Sequence, residues 1–133
     1  MEDIIIYDKL PTKFGFGRVI KIKENKNLYV EFKDENNKEF YKYRKPEDVI
    51  FLNYIRLTDR NNNKIYSDFS IVEYDFFIKE QHFNGVGYIT YNKNLCCYFI
   101  SSFSGFKTMI AETEQLSLLI IDTFQENKLK LIA

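Results

Sequence analysis

Apolar and polar side chains alternate with a period of two along much of the first fifty residues. Ile20 and Ile22 are interleaved with Lys21 and Lys23, and Leu28, Val30 and Phe32 with Tyr29, Glu31 and Lys33. Successive side chains of a strand point to opposite faces, so this period predicts strands with one buried face, with Ile20 and Ile22 on it. The polar, Asn-rich "KDENNKEF" between Phe32 and Phe40 and the shorter "YNKNL" at 91–95 read as hairpin turns. Residues 4–52 are then nearly all strand and turn. The best helical stretch, "IAETEQLSLLII" at 110–121, places Ile110, Leu116 and Leu119 poorly for a 3.6-residue period, so one helical turn is expected there.

The pattern occurs twice. "KFGFGRVIKI" carries Gly15 and Gly17, and "HFNGVGYITY" carries Gly85 and Gly87, so four of the five glycines fall in two matching pairs. Gly17-Arg18-Val19 aligns with Gly87-Tyr88-Ile89, Lys26-Asn27-Leu28-Tyr29 with Lys93-Asn94-Leu95-Cys96, and Phe32 with Phe99. Upstream, Ile5-Ile6-Tyr7-Asp8 aligns with Val72-Glu73-Tyr74-Asp75; downstream, "EFYKY" and "DVIFLN" find weaker counterparts in "GFKTMI" and "SLLIID". Each half reads as a strand, a loop, a Gly-x-Gly strand, a turn, two strands and a short closing strand. A phosphate-cradling glycine loop needs a following helix, whereas both copies run into a strand; the glycines are read as bends that let a small sheet close. The expected fold is all-β: two tandem small barrels related by an internal repeat, at 1–53 and 66–133, joined by a hairpin at 54–65.

Composition adds limits. The 133 residues are 45% apolar and 17% aromatic, with thirteen Phe and ten Tyr, which supplies a core and argues against disorder. Nineteen basic residues balance nineteen acidic ones, so the whole chain has no long-range field toward nucleic acid or an anionic membrane. The two cysteines are the adjacent Cys96 and Cys97, which strand geometry sends to opposite faces; neither a disulfide nor a two-thiolate metal site is expected, and reduced thiols suit a cytoplasmic protein. "MEDIIIYDKL" begins acidic with a short apolar run, so no signal peptide is expected, and no apolar run is long enough to span a bilayer.

Two resemblances follow from particular residues. "KFGFGRVIKI", "LYVEF", "EFYKY" and "EDVIFL" look like an SH3-like small barrel of the Tudor or transcription-coupling type. "YIRLTDRNNNKIY" followed by "IVEYDFF", "GVGYITY" and "LLIIDTFQENKLKL" is similar to the YopX family of phage and prophage proteins. That family carries a Thr-Gly-Leu-x-Asp-x-Asn-Gly-x-x-Ile-Tyr stretch, a Glu-Gly-Asp turn and a following strand, a Gly-Val strand and a closing Ile-Gly-Asn-Ile-Tyr-Glu-Asn-Pro-like tail. Leu57, Asp59, Asn61, Ile65 and Tyr66 fall on the pattern, as do Ile121, Phe124, Glu126 and Asn127. Arg56 stands for the first glycine, Asn63 is read for the second, "SDFS" for the acidic turn with one residue extra, and Lys128 for a closing proline. The resemblance implies a β-rich fold and a mobile genetic element as source, and it carries no catalytic residues.

The search for chemistry finds little. His82 is the single histidine, read as a surface residue of a polar loop with no nucleophile or carboxylate pair framing it. "TDRNNNKIYSD" lacks the sixth-position glycine and twelfth-position glutamate of a calcium loop. No catalytic, metal or cofactor residues are assigned. Two surface stretches remain. In "KEFYKYRKPED", Phe40, Tyr41 and Tyr43 are interleaved with Lys42, Arg44 and Lys45, which suits stacking plus phosphate contact, with Arg56, Arg60, Lys21 and Lys23 extending the patch. In "SSFSGFKTM", Phe103 and Phe106 flank Gly105 in a small-residue loop, as partner anchors or as plugs of the second barrel. The expectation is a non-enzymatic accessory protein of the bacterial host cytoplasm that binds a host or phage protein and inhibits a defence or regulatory factor. A nucleic-acid-binding module is the alternative, and open sheet edges allow homo-oligomers.

Overall fold

Twelve strands and two single turns of 3-10 helix account for the regular structure in a computed structural model that describes residues 3–10 and 14–124, so the fold is all-β. The chain divides after Asn53 into two units.

The first unit contains β1 (Ile5–Asp8), β2 (Phe16–Ile22), β3 (Leu28–Lys33), β4 (Glu39–Arg44) and β5 (Val49–Phe51). They form one antiparallel sheet in the order β4-β3-β2-β1-β5, with a 3-10 turn at Pro46–Asp48 before β5. Leu28, Val30 and Phe32 face the core with Ile6 and Val49, as the alternation on β3 predicts. The alternation on β2 misleads. The register slips between Val19 and Lys21, a bulge that leaves Ile20 and Ile22 on the surface at 43% and 53% exposure while Val19 packs on the core.

The second unit begins with the hairpin of β6 (Tyr54–Thr58) and β7 (Lys64–Tyr66), followed by β8 (Ser70–Ile78), β9 (Gln81–Asn92), β10 (Cys97–Ser102), β11 (Lys107–Met109) and β12 (Glu114–Thr123). The last five pair in the order β11-β10-β9-β8-β12, with a 3-10 turn at Ile110–Glu112 before the final strand. Strand for strand this is the order of the first sheet, and the 3-10 turn holds the same place. The single helical turn expected within 110–121 is this one, and the remainder is β12. The hairpin at 54–66 is built into the unit: Ile55 and Ile65 lie in one core cluster with Val72, Tyr74, Phe76, Ile89, Ile100 and Leu118.

Pairing corrects the residue correspondence between the copies. Gly17 lies opposite Ile6 and Gly87 opposite Val72, so Ile6, and not Ile5, is the counterpart of Val72. Val19 pairs with Val30 and Ile89 with Ile100, which moves Phe32 away from Phe99. The loop expected between the first two strands exists in the first copy alone. In the second, Ile78 pairs with Gln81 across a two-residue turn, Lys79-Glu80, both with positive φ (47° and 71°). Two long strands thereby replace a short strand and a loop, and His82 lies on β9.

The four glycines serve different constraints. A Cβ on Gly17 would sit 2.6 Å from Val30 Cγ1 and 2.8 Å from the Phe32 ring, and one on Gly87 would strike the backbone carbonyl of Ser101. Gly15 is in open space with φ 77°, whereas Gly85 faces the Tyr74 hydroxyl. The second glycine of each pair is a true match, a close approach inside the sheet; the first is a coincidence of two local needs.

Candidate functional site

Parity divides the residues of β4. Phe40 turns inward, stacking on Phe32 (5.7 Å between centroids) and edge-on to Phe14 (5.0 Å). Arg44 turns the same way. Its Nε and Nη2 donate to Oδ1 and Oδ2 of Asp8, both at 3.1 Å, and the guanidinium lies over the Phe14 and Phe32 rings. The Asp8 side chain is wholly buried and also accepts from the backbone N–H groups of Leu10 and Phe14. A bidentate pair with all carboxylate lone pairs engaged satisfies two charges that would be costly to bury singly. Arg44 is therefore committed to Asp8, and Phe40 to the core.

Tyr41 and Tyr43 project from the opposite face and meet Tyr29 of β3. Tyr29 and Tyr41 stack with planes 12° apart and centroids 5.5 Å apart, and Tyr29 and Tyr43 lie 4.9 Å apart. Lys23 Nζ sits 4.5 Å from the Tyr43 ring centroid. In the adjoining row, Arg18 Nη2 and the Tyr41 hydroxyl donate to the same Glu31 oxygen, at 3.2 and 3.4 Å. Desolvation and then the charges of Glu31 and Glu39 push the Tyr41 phenol up, so it remains a donor. Tyr41 and Tyr43 remain 42% and 52% exposed, and Lys42 and Lys45 are also exposed.

In the second unit the two candidate phenylalanines separate. Phe106 is half-buried against Tyr74 (5.9 Å) and Phe83 (5.8 Å), a core role. Phe103 is 53% exposed and groups with Tyr88 (5.7 Å) and Phe124 (6.2 Å), which are 5.0 Å from each other. The segment is a hydrogen-bonded turn: Ser102 N–H donates to the Phe106 carbonyl, Gly105 N–H to the Ser102 carbonyl, and Phe103 N–H to the Val86 carbonyl. Gly105 takes φ 110° to close it. Arg56, on β6, and Arg60, in the β6–β7 turn, are exposed residues of the second unit, outside the sheet that carries β4.

Asp59 organises that turn. Its buried carboxylate accepts from the N–H groups of Asn61 and Asn63 (2.9 Å each) and of Ile120 on β12 (3.0 Å), while Arg60 N–H donates to the Leu118 carbonyl. Burial alone would raise its pKa, but these donors outweigh burial and hold it below the ordinary carboxylate value. The left-handed residue of the turn is Asn62 (φ 65°) and not Asn63. Counted from Leu57, position 62 is also where the family pattern carries its second glycine.

His82 is exposed on β9, stacked on Phe77 (4.8 Å) and 2.9 Å from Asp75, a surface pair. Among the described residues no group of three or more potential ligands could hold a metal ion, and no helix is long and apolar enough to cross a membrane. Glu126, Asn127 and Lys128 of the family pattern lie outside the described residues.

Tyr29, Tyr88 and Phe124 are not among the surface candidates that the sequence offers, whereas Lys23 is. Alternation on β3 already sets Tyr29 opposite in direction to Leu28 and Val30, and a hairpin pairing would have placed it beside Tyr43. Tyr88 and Phe124 meet Phe103 through strand pairing that has no local signal. Comparison of the chain with protein-family models, curated proteins and solved structures finds no match.

Proposed function

We propose that the chain is a non-enzymatic phage or prophage accessory protein that binds a host or phage protein through the second unit, inhibiting a bacterial defence or regulatory factor. The observation that carries the binding reading is Phe103: an exposed ring on a segment held by two turn hydrogen bonds and a third to β9, and buttressed by Tyr88 and Phe124. A preordered aromatic loses little conformational entropy on contact, and aromatic anchors dominate protein interfaces. The phage assignment rests on the YopX resemblance. Arg56 and Asn62 have φ of 64° and 65°, and counted from Leu57 they stand where the Thr-Gly-Leu-x-Asp-x-Asn-Gly stretch carries its two glycines. Each five-stranded sheet is read as a small SH3-like barrel and the pair as a duplication, supported by the common strand order and the common 3-10 turn.

Pull-down from bacterial host lysate with the tagged chain tests this. The expected result is a discrete partner held by the wild type and by Tyr41→Ala/Tyr43→Ala, and lost with Phe103→Ser. A partner indifferent to Phe103→Ser, or none at all, contradicts it.

A further inference from the structure

We propose that the outer face of β2, β3 and β4 is a stacking platform for single-stranded nucleic acid, with Tyr29, Tyr41 and Tyr43 receiving bases and Lys21, Lys23 and Lys33 the phosphates. This surface belongs to the first unit, and the proposal does not depend on the protein contact at Phe103.

The rings lie outside the core. The core of the unit is made by Ile6, Leu28, Val30, Phe32 and Val49 on the other face, yet three tyrosines form a continuous ladder at 4.9 and 5.5 Å on this one. Tyr41 and Tyr43 keep about half their surface open. Base–aromatic stacking tolerates any sequence because every base has a π-face, and the bases must be unpaired to reach the rings.

Charge is complementary to a phosphate chain here although the whole molecule is neutral. Residues 18–45, both faces and the turns together, hold nine basic against five acidic residues, of which Lys42 and Arg44 belong to the other face, whereas 54–124 hold six against eight. Pairing places Lys21 directly across from Tyr29, and Tyr29 across from Tyr43, so a cation ends the tyrosine row. Lys23 caps the Tyr43 ring. Glu31, the acid in the middle of the face, is covered by donors from Arg18 and Tyr41 and its side chain is 12% exposed. Glu39 is offset by Lys33 directly opposite. Of the two arginines in the segment, Arg44 is withdrawn to Asp8 and Arg18 donates to Glu31, which leaves lysines as diffuse phosphate contacts and the rings as the grip.

The test is fluorescence anisotropy of the intact chain with labelled single-stranded DNA and RNA of about twelve nucleotides and with the corresponding duplex. Single strands of one or both sugars should bind, with affinity falling steeply between about 50 and about 200 mM salt. Tyr41→Ala and Tyr43→Ala should each weaken binding about tenfold. Tyr41→Phe and Tyr43→Phe should retain it, and Lys21→Glu/Lys23→Glu should lower both affinity and salt dependence. The four tyrosine variants alter exposed side chains, and circular dichroism separates misfolding from lost contact. No binding at low salt, equal affinity for duplex, alanine variants that bind like wild type, or a protein partner sensitive to Tyr43→Ala in a chain without oligonucleotide affinity would each overturn the proposal.

Discussion

Gly17 and Gly87 hold one position in two sheets: each lies opposite a fully buried residue of the preceding strand, Ile6 for Gly17 and Val72 for Gly87. Around that shared position the contacts differ. Gly17 is pressed by side chains and Gly87 by backbone, and the difference has an energetic consequence.

Gly17→Ala should destabilise the protein by about 1–3 kcal/mol, the usual range for overpacking, because Val30 and Phe32 can partly yield. Gly87→Ala should be worse, since the Ser101 carbonyl moves only if β10 leaves its register. Urea denaturation of both variants checks the order, and Val30→Ala should recover part of the Gly17→Ala loss alone.

The Lys79-Glu80 turn joins two strands through a pair of left-handed residues that lack the usual Asn-Gly chemistry. Lys79→Asn/Glu80→Gly should therefore stabilise the second unit by about 1 kcal/mol, the scale of the strain at such positions. Thermal unfolding followed by circular dichroism reads the shift.

Removing one member of the Asp8–Arg44 pair should cost about 3–5 kcal/mol, because the other charge is left buried without a partner. Arg44→Ala should unfold the first unit at lower urea. Asp8→Leu/Arg44→Met should cost much less than either single change, as both charges then disappear together. A double-mutant cycle measures the coupling.

Asp59 gives the second unit an acid limit. Its folded pKa lies below the ordinary value of 3.8, so the carboxylate contributes stability that is present above that value and is lost as pH falls through the folded pKa. Asp59→Asn should be less stable than wild type at neutral pH, by about 1–3 kcal/mol if one donor is left unsatisfied. The gap should narrow below about pH 4, and denaturation midpoints across an acid pH series test the slope.

The sequence was legible where local period and burial agree. Leu28, Val30 and Phe32 revealed β3, "KDENNKEF" revealed its hairpin, and the repeat anticipated one strand order used twice. It was illegible where a single inserted residue overrides the period, as at Ile20, or where a turn lacks turn residues, as at Lys79-Glu80. Some surface candidates turn inward for a third reason. Arg44 reads as a free cation until Asp8, 36 residues earlier and separated from β4 in the sheet order by β3 and β2, meets it in the folded unit. Phe103 and Phe106 look alike in sequence and are separated by which side of the Ser102–Phe106 turn each occupies.

The protein-binding reading is tested most directly by a photo-crosslinking amino acid placed at position 103 in the full chain, expressed in the bacterial host, with one at Leu95, which is also exposed, as control. The predicted result is a discrete adduct with one host or phage protein from position 103 and none from position 95. Adducts of equal yield and pattern from both positions, or no adduct from 103, would contradict the account.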